Sequence, residues 1–438
     1  MQFCTSIKPI TMNKRNMIKV LTFVFGVAMF ATGCSTEKKI PNRIEQLPAT
    51  AVLEWNDIAY NAFGGPLYQH SLQASRINAM THLAMHDALN SIQAKYATYA
   101  FKGKDSGADP ISAAVTAAHS VLLHEIPARK GFLDSALQKS LANVAEGDAK
   151  TRGMVIGKQA AEAIIANRAG DAADKDPIGV IPPSAGPGSY QPVPPLPFLF
   201  APDWQHMKLF SLKQKDQFRS APYPALGTEL YAKDLKEVKE TGKNNSTTRT
   251  AEQTSYAKFW YEFSESGWNR VARTVVQAKG LNLIDAARLL ALVDMAIADA
   301  YVAGWESKMF HNFWRPYTAI RQADIDGNEL TTPDAAWEPL EVTPPVQDYP
   351  STHSALGNSA ATVLARLLGD NNQFTFASPT AIPAGSTRTF QSFSEAANEN
   401  ADSRVRAGLH FRFSCVAGQE MGTKIGNWTV DNHLKQLK

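Results

Sequence analysis

The chain has 438 residues, of which 44% are hydrophobic and 19% are charged, and its formal net charge is +3. This composition is that of a globular protein, so a fibrous or disordered chain is excluded. Four basic residues and no acidic residue lie in the first 33 positions, which leaves a net charge of −1 for the remainder. A nucleic-acid partner is therefore not indicated.

Residues 1–33 have the pattern of an export signal. A basic start precedes an apolar run from about Val20 to Ala31, which is too short to remain as a membrane-spanning helix. The small residues before Cys34 resemble the lipobox of bacterial lipoproteins, which implies that this cysteine is lipidated. We therefore expect an exported bacterial lipoprotein, tethered to a membrane and facing the periplasm or cell exterior. The alternatives are a simple cleaved secretory signal and an unprocessed soluble N-terminus.

Residues 34–52 are polar and include Pro41, which predicts a short tether ahead of a folded body over residues 53–438. Cys415 is the only cysteine after Cys34, so the body has no internal disulfide to form. A body of this length can be stabilised by its hydrophobic core alone. We expect it to be soluble and attached to the membrane only through the lipid.

Helical patterns dominate the body, and strand signals are few. Apolar residues recur at three- and four-residue spacing over 74–96, which predicts an amphipathic helix. His82 and His86 lie one turn apart there; without a third ligand nearby we interpret them as core or surface histidines, not as a metal pair. Further helices are predicted over 111–123, 131–144 and 151–167.

A proline-rich stretch over 176–204 interrupts the helical pattern. Its nine prolines would indicate a linker by composition alone. However, Tyr190, Phe198, Phe200 and Trp204 are interleaved with the prolines, and that much aromatic surface is expected to pack on the body. We predict a long wrapping loop, not a domain boundary.

Helical patterns resume near Glu229, and residues 247–252 offer a cap for a segment that reaches Phe263. The longest apolar-rich run, 283–310, predicts a central helix. The sequence DIDGN at 324–328 resembles part of a calcium loop, but it lacks the bidentate glutamate and is interpreted as a turn.

A further helix is predicted to begin at Pro350 and to reach Leu368. Proline suits a helix start, and Ser351 or Thr352 can cap the amides that follow. Those amides and the helix dipole favour a tetrahedral oxyanion. His353, in the first turn, would lie beside it as a proton donor or acceptor. An ordinary capped helix with a surface histidine is the alternative.

Two clusters flank this turn. Lys308 and Arg315 are close to two helical turns apart, so both cations can face one side until the next proline ends the helix. Arg404 and His410 do not share a face of one helix, but Gly408 supplies a break that can re-aim the histidine. Together the clusters describe an oxyanion pocket, in which each cation contact contributes about 4 kcal/mol before desolvation.

In chain order, Lys-x6-Arg-Pro, Pro-Ser-x-His and Ser-Arg-x5-His resemble the signature of the vanadium haloperoxidase and type 2 phosphatidic acid phosphatase superfamily. The chain is most similar to its soluble bacterial haloperoxidase-like branch, through NFWRPYTAIR, TPPVQDYPSTHS, HFRFS, GPGSYQP and TTRTAEQT. The resemblance runs from about residue 53 to the C-terminus. It implies an all-α multi-helix bundle with a long proline-rich wrapping loop and an active-site part at about 284–438.

The resemblance also implies a role for each matching residue. The oxygens of vanadate or phosphate would be bound by Lys308, Arg315, Ser351, the amide of Thr352, and Arg404. His353 would be the general acid/base near the apical oxygen. His410 would be the axial ligand to vanadium or, in a phosphatase, the nucleophile that takes the phosphoryl group.

Two positions depart from the family pattern. Thr352 stands where glycine is frequent, which keeps the amide but makes the turn tighter. Ser414 stands where an aspartate usually follows the second histidine, and a hydroxyl stabilises an imidazolium less than a carboxylate does. Three aspartates could compensate: Asp294, Asp299 or Asp402.

Two activities fit such a pocket. The first is a vanadate-dependent peroxidase that oxidises halide with hydrogen peroxide to hypohalous acid. The second is an acid phosphatase that hydrolyses phosphate monoesters through a phosphohistidine at His410, because vanadate mimics the transition state of phosphoryl transfer. A third hypothesis is an inactive, lipid-anchored protein that only binds oxyanions. The branch-level resemblance and Ser414 favour the peroxidase.

Overall fold

The computed structural model describes residues 44–65 and 70–438, and the predicted export signal and Cys34 lie outside the described residues. The described chain forms thirteen α-helices: α1 Thr50–Ala62, α2 Ser71–Ile92, α3 Pro110–Glu125, α4 Lys130–Leu141, α5 Asp148–Arg168, α6 Glu229–Thr241, α7 Ala251–Phe259, α8 Ser264–Lys279, α9 Leu283–His311, α10 Pro316–Arg321, α11 Thr352–Leu368, α12 Phe393–Arg406 and α13 Arg412–Asn432. Short 3₁₀ helices occur at Ile44–Gln46, Pro127–Arg129 and Pro202–His206. The predicted all-α class is confirmed.

Strands are confined to two short antiparallel pairs. β1 (Ile178–Gly179) pairs with β2 (Leu199–Phe200), and β3 (Phe374–Ala377) pairs with β4 (Thr387–Phe390). The first pair joins the two ends of the proline-rich stretch, and the second is a hairpin between α11 and α12. Neither pair forms part of a larger sheet, so helix packing determines the fold.

Helix α9 is the centre of this fold, as its long apolar run predicts. The side chain of Asn282 accepts a hydrogen bond from the amide of Asp285 and so caps the first turn. Nearly every residue from Leu283 to Lys308 is buried, on all faces of the helix. This burial follows because α9 packs on α2 on one side and on α11 on another.

Three glycines bring the last helix close to the helix that follows the Pro350 turn. Gly418, Gly422 and Gly426 repeat every four residues on α13, so they lie on one face. A Cβ on Gly418 would clash with the carbonyl of Ser351, and one on Gly422 with the carbonyl of Ala355. The two backbones are therefore in direct contact where α11 begins.

The proline-rich stretch packs on the body, as predicted. Tyr190 and Trp204 are buried. The amide of Tyr190 donates to the carbonyl of Asn312 (2.9 Å), and the amide of Trp314 donates to the carbonyl of Gly188 (2.9 Å). The loop is therefore hydrogen-bonded to the segment that follows α9.

The body begins before residue 53, where the predicted tether ends. Ile44 is 1% exposed, and the amide of Leu283 donates to the carbonyl of Leu47 (2.8 Å), so this stretch is fixed to the start of α9. The four helices predicted between 74 and 167 are α2, α3, α4 and α5, with ends that differ by at most four residues. α8 was not predicted, although its buried residues follow helical spacing.

His82 and His86 are core residues. Nδ1 of His82 lies 2.7 Å from Oδ2 of Asp294, and Nε2 of His86 lies 3.1 Å from the carbonyl of Ala97. Burial lowers the pKa of His86 to about 4. Within residues 44–65 and 70–438, no cluster of three metal-binding side chains occurs, and no helix has the length and apolar character to cross a bilayer.

Candidate active site

Both cations of the first cluster hold one short loop. Lys308, in the last turn of α9, donates from Nζ to the carbonyls of Gln347 (2.7 Å) and Asp348 (2.9 Å). Arg315 donates from Nε to the carbonyl of Val346 (2.7 Å). Both side chains are 1% exposed. The cations therefore do converge on one side, against the loop that leads to the Pro350 turn.

The proline after Arg315 does not end the central helix, so that prediction is wrong. α9 ends at His311, because Asn312 adopts a left-handed conformation with φ 46°. Pro316 instead begins α10, where a proline fits because the first helical amide has no partner to lose. The left-handed turn, not the helix, directs Arg315 back toward the site.

The third cluster reaches the same place because the helix ends between Arg404 and His410 and the chain changes direction there. α12 ends at Arg406, and Gly408 adopts φ 81°, so a side chain there would be strained. The amide of Leu409 then donates to the carbonyl of Arg404 (3.0 Å), which turns His410 inward. The break predicted at Gly408 is confirmed.

Arg404 has no anionic partner within this site. Its side chain is fully buried, its Nε has no hydrogen-bond partner, and its one hydrogen bond is a long one from Nη1 to the carbonyl of Trp260 (3.4 Å). Burial lowers the pKa of Arg404 to about 10, and burial with the neighbouring Arg315 lowers the pKa of Lys308 well below its usual range. A buried cation without a partner is costly, so the site favours an anion.

The carboxylate partner of His410 is Asp348, which the sequence did not reveal. Nδ1 of His410 lies 2.9 Å from Oδ1 of Asp348, but the angle is not that of a hydrogen bond, so the contact is electrostatic. Nη1 of Arg315 lies 3.0 Å from Nε2 of His410; a guanidinium only donates, so Nε2 accepts and the proton is on Nδ1. Burial lowers the pKa of His410 well below its usual range and raises the pKa of Asp348 to about 7.

Ser414 takes part in the same arrangement. Its Oγ donates a hydrogen bond to Oδ2 of Asp348. The serine therefore orients a carboxylate supplied by the loop before the Pro350 turn. The only signal in the sequence was an aspartate among apolar and aromatic residues in TPPVQDYPSTHS, and no fixed spacing connects it to His410.

The three aspartates suggested as substitutes are engaged elsewhere, so that expectation is wrong. Asp294 contacts His82, and Asp299 accepts hydrogen bonds from the backbone amides of residues 210–212. Asp402 pairs with Arg406 and Arg412. Each carboxylate is bound to polar groups near it and does not contact His410.

Ser351 and Thr352 form the start of α11. Ser351 is the N-cap residue but makes no side-chain capping bond; its Oγ accepts a hydrogen bond from Ser354 (3.0 Å) instead. The Thr352 side chain packs on Gly304 of α9, where a Cβ would lie 3.3 Å from the threonine hydroxyl. A glycine on the facing helix therefore provides the space that threonine needs.

His353 faces the outer side of the site. Its Nε2 lies 3.1 Å from the carbonyl of Glu262, which fixes the ring. Burial and the nearby Arg404 lower its pKa well below the usual value, so the imidazole is neutral in the absence of an anion. An anion bound among these cations would raise the pKa of His353, which suits a group that gives and takes protons.

A cleft of about 570 Å³ extends from His353 and Arg404. His353 and Arg404 lie among its lining residues, whereas Lys308, Arg315 and His410 do not. Lys308, Arg315 and His410 are buried, and of this group of residues only His353 and Arg404 are reached from the cleft.

Residues 288–438 match the family described as the VCPO second helical-bundle domain. Together with the helical fold and the cluster of buried cations and histidines, this match supports the resemblance of the chain to the vanadium haloperoxidase superfamily.

Individual relatives are distant. Vanadium chloroperoxidase of Curvularia inaequalis is 26% identical in an alignment of 249 residues that covers 43% of this chain and 41% of that protein. The match thus spans less than half of that relative. A bacterial vanadium-dependent iodoperoxidase superimposes with a TM-score of 0.76 at 26% identity, over 89% of this chain and 97% of its own. A bacterial vanadium-dependent chloroperoxidase shares the fold, with a TM-score of 0.66 at 16% identity over 81% of this chain and 92% of its own.

The donor set fits an oxyanion of vanadium. Three buried cations face one region with Asp348 as the carboxylate beside them, and Nε of Arg404 has no partner. The proton on Nδ1 of His410 keeps a lone pair on Nε2; Arg315 donates to it here, so a metal would bind Nε2 in place of that hydrogen bond. A second-sphere carboxylate near the other ring nitrogen is the usual companion of a metal-bound histidine.

Proposed function

We propose that the protein is a vanadate-dependent haloperoxidase, which oxidises halide with hydrogen peroxide to hypohalous acid. The observation that carries this proposal is the state of His410: Nε2 is held as an acceptor by Arg315, and Nδ1 faces the Asp348 carboxylate. An imidazole in this tautomer has its lone pair on Nε2, where a metal would take the place of the Arg315 hydrogen bond.

Lys308, Arg315 and Arg404 would bind the oxyanion through its oxygens and balance its charge in a region that excludes water. Bound vanadate would supply Lewis-acid activation of hydrogen peroxide without a change of its own oxidation state. His353 lies where the cleft meets the pocket, so it would move protons to and from the oxygens that face solvent. The balanced reaction is X⁻ + H₂O₂ + H⁺ → HOX + H₂O.

An acid phosphatase using the same pocket is the second candidate, and the Asp348 contact favours keeping it. The serine at 414 argued against phosphoryl transfer, because a nucleophilic histidine needs a carboxylate at its other nitrogen. Asp348 supplies that carboxylate from another part of the chain. The phosphate of a monoester would bind the three cations, His410 would attack phosphorus, and His353 would protonate the leaving oxygen.

One pair of assays separates the candidates. The purified protein is given orthovanadate, hydrogen peroxide and bromide with a dye that changes colour on bromination, and phosphate-ester hydrolysis is followed in parallel. Bromination that requires orthovanadate is the expected result. Ester hydrolysis that orthovanadate inhibits would instead establish the phosphatase. If neither reaction occurs and no oxyanion binds, the pocket has been wrongly assigned.

A further inference from the structure

The cleft beside the oxyanion pocket has walls of a distinct chemical type. Three aromatic residues, Tyr60, Tyr261 and Phe263, line it together with two prolines. The hydroxyl of Tyr60 donates to the carbonyl of Glu265 (2.9 Å), and that of Tyr261 donates to the carbonyl of Val342 (3.2 Å). Because both hydroxyls are bound to backbone, it is the ring surfaces that a ligand would meet.

Two arginines of α8 lie farther along the cleft, and they differ in how fully they are paired. Arg270 makes three hydrogen bonds to the carboxylate of Glu262, which is buried. Arg273 donates a hydrogen bond to the amide oxygen of Asn56 and is paired with Asp57 at 3.2 Å, and the side chain of that aspartate is 60% exposed. Solvent weakens such an ion pair, so Arg273 is the cation that a second carboxylate can engage.

The charges lining the cleft therefore favour an acid. Arg270, Arg273 and Arg404 face Glu262 and Asp57, and the buried Lys308 and Arg315 add positive charge behind Arg404. When an oxyanion occupies the inner pocket, Arg404 is used. A second negative group can then be bound at Arg273, whose ion pair with Asp57 is open to solvent, in a cleft that the aromatic residues also line.

We propose that this cleft binds an aromatic acid, with its carboxylate at Arg273 and its ring between the aromatic walls, next to the oxyanion pocket. The volume of about 570 Å³ is in the range of small-molecule sites. This deepens the proposed function, on which the chemistry rests: the bound ring would accept the oxidised halogen, HOX + ArH → ArX + H₂O. The ring hydrogen leaves in the water, and no other oxidant is required.

The binding itself can be measured without turnover. 4-Hydroxybenzoate is titrated calorimetrically into the purified full-length protein, with and without saturating orthovanadate, in the absence of peroxide and halide. We expect binding in both conditions, and Arg273→Gln should weaken it about tenfold, since hydrogen bonds to charged groups are the stronger ones. Arg366→Gln, at an arginine on α11 outside the cleft, is the matched control and should bind as the wild type does.

Two further measurements guard against a misfolded variant. Asp57→Asn, at a mostly exposed position, removes the competing carboxylate and should tighten 4-hydroxybenzoate binding. Benzyl alcohol and cyclohexanecarboxylate, which lack the acid and the aromatic ring respectively, should each bind more weakly than 4-hydroxybenzoate. Equal binding by the Arg273 and Arg366 variants, together with no effect of Asp57→Asn, would overturn the proposal. So would competition between 4-hydroxybenzoate and orthovanadate, because the acid would then occupy the inner pocket.

The binding results can be interpreted whether or not the protein proves to be a peroxidase. Binding that depends on Arg273 supports the aromatic-acid site even if no halide is oxidised. Conversely, orthovanadate-dependent bromination of a dye together with no binding of 4-hydroxybenzoate would retain the enzyme and remove the site.

Discussion

The imidazole of His410 meets the carboxylate of Asp348 at 2.9 Å between Nδ1 and Oδ1. The two residues come from separate segments of the chain. His410 lies in the connection between α12 and α13, and Asp348 lies in the loop before α11. Ser414 hydrogen-bonds the same carboxylate from its second oxygen. A substitution that looked like the loss of a carboxylate is therefore a change in where the carboxylate comes from.

Asp348→Asn should alter how oxyanion binding depends on pH. Burial raises the pKa of Asp348 to about 7, so in the wild type protonation through this range removes a negative charge beside the anion and tightens binding as pH falls. Asparagine imitates the protonated form. At about pH 8 the variant should bind tungstate roughly tenfold more tightly than the wild type, and its affinity should stay flat down to about pH 6.

Tungstate is the probe because its own ionisation lies well below this range, and calorimetry gives the affinity. The same shift has a consequence for stability. Since the folded-state pKa lies above the unfolded value, the wild type loses unfolding free energy as pH rises toward 7, and the variant should not. Parallel pH profiles for the two proteins would show that Asp348 does not titrate here.

His410→Ala should abolish turnover and reduce the affinity for orthovanadate to the level of the affinity for phosphate. The cations would still attract both oxyanions, but the nitrogen that distinguishes vanadium would be missing. Competition binding measures the two affinities. His206→Ala, at an exposed histidine outside the site, is the matched control. Full activity of the His410 variant in both the bromination and hydrolysis assays would remove the role assigned to it.

Arg404→Met should raise the melting temperature of the oxyanion-free protein while it lowers the stabilisation given by added phosphate. The guanidinium is fully buried without an anionic partner, and an apolar side chain removes the desolvation cost of that charge. Thermal unfolding with and without phosphate gives both values. Arg366→Met, the control, should change neither the melting temperature of the oxyanion-free protein nor the stabilisation given by phosphate. A lower melting temperature for the Arg404 variant would mean that the charge is satisfied in the free protein.

Gly422→Ala should lower the unfolding free energy by about 1–3 kcal/mol. The added methyl would collide with the carbonyl of Ala355 and push α13 away from α11. Gly131→Ala is the matched control, because no atom lies within 4 Å of its Cβ position and alanine is the better helix former. Denaturant titration distinguishes the two, and equal stabilities would show that the helices can separate without loss.

Cys34→Ser should abolish lipid labelling and release the protein from the membrane fraction of a bacterial host. The prediction rests on the lipobox-like sequence alone, since the position lies outside the described residues. Metabolic labelling with a fatty-acid analogue is the measurement. Cys4→Ser, within the predicted signal, should keep the label. A labelled Cys34→Ser protein would leave the secretory-signal alternative.

The residues of the signature were predictable because each cluster is local in sequence. The spacing of Lys308 and Arg315, the Pro350 turn and the Gly408 break each describe a few consecutive residues. The structure brings these clusters near one another, although Lys308 and Arg315 converge through the left-handed turn at Asn312 and not through one continuous helix.

What could not be predicted depends on contacts between distant segments. The pairing of His410 with Asp348 requires the loop before α11 to fold back over α9, and no spacing rule encodes that path. The space that Thr352 occupies depends on Gly304 of the facing helix. The end of α9 was misplaced because Asn312, in a left-handed conformation, stops the helix before the proline does.

Cys415 is the only cysteine among the described residues, and it is buried near Lys308 and Arg404. Burial raises its pKa to about 12, so at neutral pH it is a covered, protonated thiol, and the thiolate is the form that oxidants attack. The described body also has no crosslink for a reductant to cleave. The site can therefore be refolded without an oxidative step and handled in buffers that contain thiols, while its own thiol is poorly exposed to any oxidant in solution.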